Sequence, residues 1–268
     1  PGRAKRMRAY VDHVMALLPF EPQAHLRLGG PPCTYVGHPL IERGAWIESL
    51  QPQALASRLG LPPDQPVLVV LPGSRRSEIG RLMPPFGETV ELLRRQLPAF
   101  QILMPTVASA RSLVEEQSAA WTVRPILLEG DADKFAAFLL ARVALAASGT
   151  VTLELALAGT PMVVAYKVEP LAACLRFLVK VPSIVLPNLV LGENAFPELI
   201  QEACTPEGLT TAIADLFGET PARAQQLAAL ARIKPQMGLQ SDGGLRLLPS
   251  RAAARIVRDA AWSHATRM

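Results

Sequence analysis

Aromatic side chains are scarce in this chain: Phe, Tyr and Trp make up 5% of its 268 residues. A protein that stacks nucleic-acid bases sets aromatics among its basic residues. No such interleaving is present, which argues against nucleic acid as a partner. Cysteine is also sparse. Cys33, Cys174 and Cys204 are odd in number, far apart and without a Cys-x-x-Cys pair. That pattern argues against a disulfide framework or a zinc site and for a reducing compartment. No charge-free apolar run reaches the roughly eighteen residues of a membrane span. The most apolar stretch, residues 171–191, is broken by Arg176, Lys180, Pro182 and Pro187. Nothing at the start reads as a secretory signal. No Ser-His-Asp set, Cys-His pair or metal-ligand cluster is visible, so neither a metal nor a cofactor is expected.

Half of the residues are hydrophobic, and with so few aromatics the core must be built from Leu, Val, Ala and Ile. Such composition suits an α/β protein with buried parallel strands. The net charge of +4 is local. Arg3, Lys5, Arg6 and Arg8 open the chain without an acid, and residues 221–268 carry Arg223, Arg232, Lys234, Arg246, Arg251, Arg255, Arg258 and Arg267 against Asp242 and Asp259. A solvated helix face and attraction to anionic lipid heads both fit this excess.

Met7, Val11, Val14, Met15 and Leu18 recur at helical spacing and predict a helix over 3–18, stopped by Pro19. A short strand over 34–36 runs into Gly37-His38-Pro39, and 40–64 read as a connector with one helix over 54–59. Alternation then sets in. Strands are expected at 67–71, 101–104, 125–128, 143–147 and 161–165, with helices at 77–97, 108–118, 131–140 (capped by Asp131) and 151–158 between them. Five strands alternating with helices predict a doubly wound parallel sheet, whose ligands lie at the carboxyl ends of its strands. Beyond Pro206 the chain reads as helices, the last over 251–264.

Two strand-to-helix turns carry chemistry. The first, Leu71-Pro72-Gly73-Ser74-Arg75, ends a buried strand sharply. Ser74 can cap the next helix, and Arg75 can offer forked, permanently charged donors to a diphosphate; the plainer alternative is a surface arginine paired with Glu78. The second, Ser148-Gly149-Thr150, is built of small residues that let backbone N–H groups approach a phosphate at a helix N-terminus. Glu154 follows about 6 Å along the helix axis at the standard rise. It can accept hydrogen bonds from ribose hydroxyls, or simply gain from the helix dipole. Asn188 sits in a polar gap at Leu186-Pro187-Asn188-Leu189, either as a turn residue or as an amide that reads a uracil edge or a sugar hydroxyl. His38 can serve as a base or as a structural residue before Pro39. Lys167 and Glu169 follow the last strand and can line the same cleft.

These residues resemble one family closely, lipid-A-disaccharide synthase, a glycosyltransferase of GT-B type. The matching blocks are 18–21, 35–40, 71–75, 147–154, 161–167, 186–189 and 196–202, in family order, with a weaker one near 252–257. The resemblance implies transfer of 2,3-diacylglucosamine from UDP-2,3-diacylglucosamine to 2,3-diacylglucosamine 1-phosphate (lipid X). It implies a peripheral protein on the cytoplasmic face of a Gram-negative inner membrane. It also implies a remnant of the acceptor domain over 1–45, a UDP-sugar donor domain over 46–245, and a helix over 246–268 packing back toward the acceptor domain. Gly73, Ser74, Arg75, Ser148, Gly149, Thr150, Glu154 and Asn188 would then hold the donor, with His38 and Lys167 as further candidates and Arg75 stabilising the leaving group. The family's glycine-rich first turn and proposed general base have no counterpart here, so the expectation is a UDP half-site that does not turn over by itself. An exposed apolar patch on such a chain would favour self-association. Two alternatives stay open: another GT-B enzyme acting on a UDP-N-acetylhexosamine, and a non-catalytic nucleotide- or membrane-binding remnant.

Overall fold

The computed structural model describes residues 2–168, 182–240 and 246–265. In chain order the elements are α1 (Gly2–Met7), β1 (Val14–Ala16), α2 (Glu21–Arg27), β2 (Cys33–Tyr35), a 3-10 turn (Pro39–Arg43), α3 (Gly44–Ser49) and α4 (Pro52–Arg58). Next come β3 (Val67–Leu71), α5 (Arg76–Gln96), β4 (Gln101–Pro105), α6 (Arg111–Ser118), β5 (Ile126–Leu128), α7 (Asp131–Leu140), β6 (Ala141–Ala147), α8 (Val151–Ala158) and β7 (Met162–Tyr166). The chain closes with α9 (Leu186–Leu191), β8 (Glu198–Ile200), α10 (Pro206–Phe217), α11 (Pro221–Gln236), the short β9 (Leu239–Gln240) and β10 (Arg246–Leu247), and α12 (Pro249–Ala265). Two compact units result: Pro1–Trp46 with Arg232–Met268, and Ile47–Ala231. Residues 232–245, read from sequence as part of the donor domain, group with the first unit.

In the first unit the helix expected over 3–18 stops at Met7, and Val14–Ala16 is a strand paired in parallel with Cys33–Tyr35. The apolar residues alternate across that strand, with Met15 40% exposed and Ala16 buried. Three residues are too few for a period of two to outvote the longer helical spacing around them. Two bonds distant in sequence tie this unit together: the Tyr35 hydroxyl donates to the Met237 carbonyl at 2.8 Å, and the Ser250 N–H donates to Glu42 Oε1 at 2.6 Å.

The second unit is built on a six-stranded, all-parallel sheet in the order β5-β4-β3-β6-β7-β8. The sixth strand, β8, was not among the five expected. It is three residues long and begins with Glu198, so neither length nor pattern announces it. Every residue of β3 is buried, as continuous Val/Leu runs require when helices cover both faces. Leu68, Val70, Ile102, Met104, Val143 and Leu145 share one core with Ile79, Phe86 and Leu93 of α5 and Leu209 and Ile213 of α10. α7 and α8 pack against the same strands, with Phe135, Phe138, Leu153 and Leu155 buried.

The strand order decides where a ligand can sit. The chain runs outward from β3 through β4 to β5, then returns to place β6 on the other side of β3. Neighbouring connections therefore leave β3 and β6 in opposite directions, which opens a crevice beyond their carboxyl ends.

Candidate functional site

Both turns singled out in the sequence flank that crevice. Leu71 and Ala146 are register partners at the ends of β3 and β6, so Gly73, Ser74 and Arg75 share one edge of the sheet with Ser148, Gly149, Thr150 and Glu154. The N-termini of α5 and α8 open on the same edge, and each presents backbone N–H groups and a partial positive charge.

The arginine turn is folded around Glu78. Gly73 has φ +109°, a conformation that L side chains rarely adopt, and a Cβ there would lie 2.8 Å from Glu78 Oε2. Ser74 does not cap α5 as expected: the N-cap is Arg75, in extended conformation. Glu78 reaches back instead, accepting from the Arg75 N–H at 3.4 Å and from its guanidinium at 2.6 Å. The plainer reading of Arg75 is thus realised, yet it does not remove the cation from use. Its side chain is 77% exposed, and an exposed pair is worth at most about 1 kcal/mol. A diphosphate offering two or more anionic oxygens can outcompete one carboxylate.

At the second turn the Ser148 hydroxyl donates to the Ile184 carbonyl at 2.8 Å, and the Thr152 hydroxyl donates to the Gly149 carbonyl at 2.8 Å. Both of these hydroxyl protons serve the protein, and the Ser148 N–H donates to the Ala165 carbonyl at 3.2 Å, so what this turn offers an anion is the Gly149 and Thr150 N–H groups and the exposed Thr150 side chain. Glu154 is paired. Lys134 Nζ lies 3.2 Å from its Oε1 and 3.1 Å from its Oε2. Asp131, expected as a cap, is instead the first residue of α7 after Gly130 and shares the same ammonium at 3.1 Å.

Lys167 follows β7, whose Ala165 is the register partner of Ala147, so it leaves the sheet on the same edge one strand further on. Burial pushes the Cys204 thiol up, and the charge of Lys167 partly opposes that shift. Glu169 lies outside the described residues. Asn188 differs from its ligand-reading expectation: it is 2% exposed, and its amide is spent inside the protein on Phe196 and Ser183. His38 belongs to the first unit, where its Nδ1 caps the 3-10 turn by accepting from the Leu40 N–H at 3.2 Å. Burial lowers its pKa, with the charge of Glu21 acting in the opposite sense.

Two residues of this edge escaped the sequence reading. Lys134 did leave a signal: a cation in the first turns of a helix opposes the helix dipole and so calls for an acidic partner. Gln201 left none. It has φ 53°, the one positive value at a non-glycine among the described residues. Its Oε1 accepts from the Val168 N–H at 2.6 Å, holding the chain just beyond Lys167.

An open parallel sheet with two glycine turns at its switch point defines an α/β protein of GT-B type. Solved structures share this fold at low identity. The UDP-GlcNAc 2-epimerase from Neisseria meningitidis bound to UDP-GlcNAc matches with TM-score 0.61 and 14% identity, over 84% of this chain and 59% of its own. A glycosyltransferase from Rickettsia africae matches with TM-score 0.59 and 14% identity, over 88% and 63%. The family model for lipid-A-disaccharide synthetase matches residues 1–239. The lipid-A-disaccharide synthase of Rhodopseudomonas palustris (strain HaA2) is 48% identical over 265 residues, covering 98% of this chain and 65% of the relative. That of Nitrobacter winogradskyi is 47% identical over 268 residues, covering 100% and 65%. The chain belongs to the lipid-A-disaccharide synthetase family, and it spans 65% of the length of these relatives.

Proposed function

We propose that this chain supplies the donor half of a glycosyl transfer in lipid A assembly. UDP-2,3-diacylglucosamine gives up its sugar to the free 6-hydroxyl of 2,3-diacylglucosamine 1-phosphate. The bond from C1 of the sugar to the diphosphate breaks, a β-1,6 bond forms, the hydroxyl proton leaves, and UDP departs. The observation that carries this reading is the pairing of the 72–75 and 148–150 turns on adjacent strands at the switch point. The names of the relatives, and the UDP-GlcNAc bound in the epimerase neighbour, support the choice of nucleotide.

Charge builds on the diphosphate as the sugar bond breaks, and groups already aimed at it lower the barrier without reorganising. Arg75 swings from Glu78 to the diphosphate, and the backbone N–H groups of Gly149 and Thr150 receive a phosphate. Lys167 adds a cation from the next strand, and Glu154 accepts the ribose hydroxyls. Asn188 and His38 hold loops and touch no ligand in this reading. The acylated substrates place the protein peripherally on the cytoplasmic face of the inner membrane, with Arg3, Lys5, Arg6 and Arg8 facing anionic lipid, and exposed apolar residues such as Leu26 favour self-association.

Titration calorimetry of UDP into the chain tests the donor site. Arg75→Ala and Glu154→Ala should each weaken binding by about 1 to 3 kcal/mol, the range for hydrogen bonds to charged groups. Absence of binding at millimolar UDP, or variants that bind UDP as tightly as the wild type, overturns the assignment.

A further inference from the structure

We propose that Lys134 is a positioning residue that sets Glu154 to select a ribose bearing free hydroxyls. The proposal rests on the donor-site reading above and adds to it a residue and a selectivity.

Lys134 comes from a different helix than the carboxylate it holds. It lies on α7, whose N-terminus follows β5 and therefore opens on the same carboxyl edge as α5 and α8. From there it crosses the seam to α8. Its ammonium stands within 3.2 Å of both Glu154 oxygens and 3.1 Å of Asp131, and 4.9 Å from the centroid of the Phe135 ring. Glu154, Asp131 and the Phe135 ring all contact the ammonium, and through it the Glu154 carboxylate is held. Its side chain is only 14% exposed and that of Lys134 23%, so the pair is less screened than a surface pair.

The position of Lys134 is costly on its own terms. A cation in the first turns of a helix opposes the macrodipole, so helix stability alone does not call for a lysine there. What the ammonium provides is orientation. An ionised carboxylate has about four acceptor sites on its two oxygens. One donor bridging both oxygens leaves outward-facing sites on each, a pair that matches the two adjacent hydroxyls of a ribose. The carboxylate therefore presents acceptors to neutral hydroxyl donors. The ligand this selects is a ribonucleoside diphosphate with free 2′- and 3′-hydroxyls.

The test compares UDP with 2′,3′-dideoxy-UDP by titration calorimetry on the 268-residue chain. The chain should prefer UDP by about tenfold or more, the value of a charge-assisted hydrogen bond. Glu154→Gln and Lys134→Met should each bring the two ligands within about threefold, and Lys134→Arg should retain the preference. Lys134→Gln serves as a second neutral variant if circular dichroism shows that Lys134→Met does not fold. Should the lysine variants weaken both ligands alike, or keep the full preference while Glu154→Gln loses it, Lys134 is structural and the proposal falls alone. A chain that binds neither ligand removes the donor-site reading and the proposal with it, whereas one that binds both equally removes the ribose role of Glu154 and the proposal while the donor site stands.

Discussion

The Asn188 side chain closes a two-point clamp on the backbone of Phe196: its Nδ2 donates to the Phe196 carbonyl at 2.9 Å, and its Oδ1 accepts from the Phe196 N–H at 2.9 Å. The amide thereby imitates one rung of a strand and ties α9 to the segment that enters β8. Nδ2 also lies 3.3 Å from Ser183 Oγ, itself a donor to Glu198 Oε2 at 3.1 Å. Gln226 on α11 makes the same device on Met162, accepting from its N–H and donating to its carbonyl.

Asn188→Ala should destabilise the protein by about 2 to 4 kcal/mol, since two buried backbone groups lose their partners. The UDP affinity of the folded fraction should stay unchanged. Urea unfolding followed by titration at a denaturant-free concentration measures both. A stable variant with weakened UDP binding would restore Asn188 as a ligand-reading amide.

Gly73→Ala should cost about 2 kcal/mol of stability and lower UDP affinity, because φ +109° strains any side chain and its Cβ would meet Glu78. The two causes separate in a double variant. Adding Glu78→Ala relieves the collision but not the strain, so the pair should be coupled by about 0.5 to 1 kcal/mol. Strict additivity in a double-mutant cycle would show that Glu78 does not shape the turn.

The central sheet was legible because Val67–Leu71 and Ala141–Ala147 are long, apolar and punctuated by glycine turns. β1 and β8 were not: β1 lies within apolar residues of helical spacing, β8 opens on a charged residue, and each is defined by its pairing, Val14 with Cys33 and Glu198 with Val164. The same distinction runs through the site. Residue type and position after a strand picked out Arg75 and Glu154. The Glu78 partner of Arg75, three positions on, was legible too; what holds Glu154, and what occupies Asn188, depends on partners further along the chain, such as Lys134 at 20 positions from Glu154. Sequence offers a side chain's chemistry, and only packing reveals whether that chemistry is already spent.

Tyr35→Phe removes the donor to the Met237 carbonyl and should cost about 1 kcal/mol. Burial pushes the Tyr35 phenol up to about 12 from 10.0. The folded state therefore binds the proton more tightly than the unfolded one, so this contribution is complete below pH 10.0 and is lost as pH rises through the folded value. The stability difference between wild type and Tyr35→Phe should shrink across that window in alkaline urea titrations. A difference that grows with pH would contradict the assignment.

His38 gives the opposite dependence at milder pH. Its Nδ1 accepts from the Leu40 N–H, a role that only an unprotonated nitrogen can fill. Burial lowers its pKa below 6.5, while the charge of Glu21 opposes that shift without reversing it. Below pH 6.5 the unfolded chain therefore takes up a proton that the folded one resists. With more protons bound in the unfolded state, stability rises with pH. It follows that the contribution is present above pH 6.5 and fades as pH falls through the lower, folded value. His38→Asn supplies a side-chain acceptor without a titrating ring, and asparagine is a favoured N-cap. Thermal unfolding midpoints of the two proteins, measured from about pH 8 down to about pH 5, should run parallel at the upper end and diverge below pH 6.5. Over that lower range the wild type should lose stability faster. Parallel curves throughout would mean that the His38 ring keeps its cap when protonated, which the geometry of an N–H facing a protonated Nδ1 does not allow.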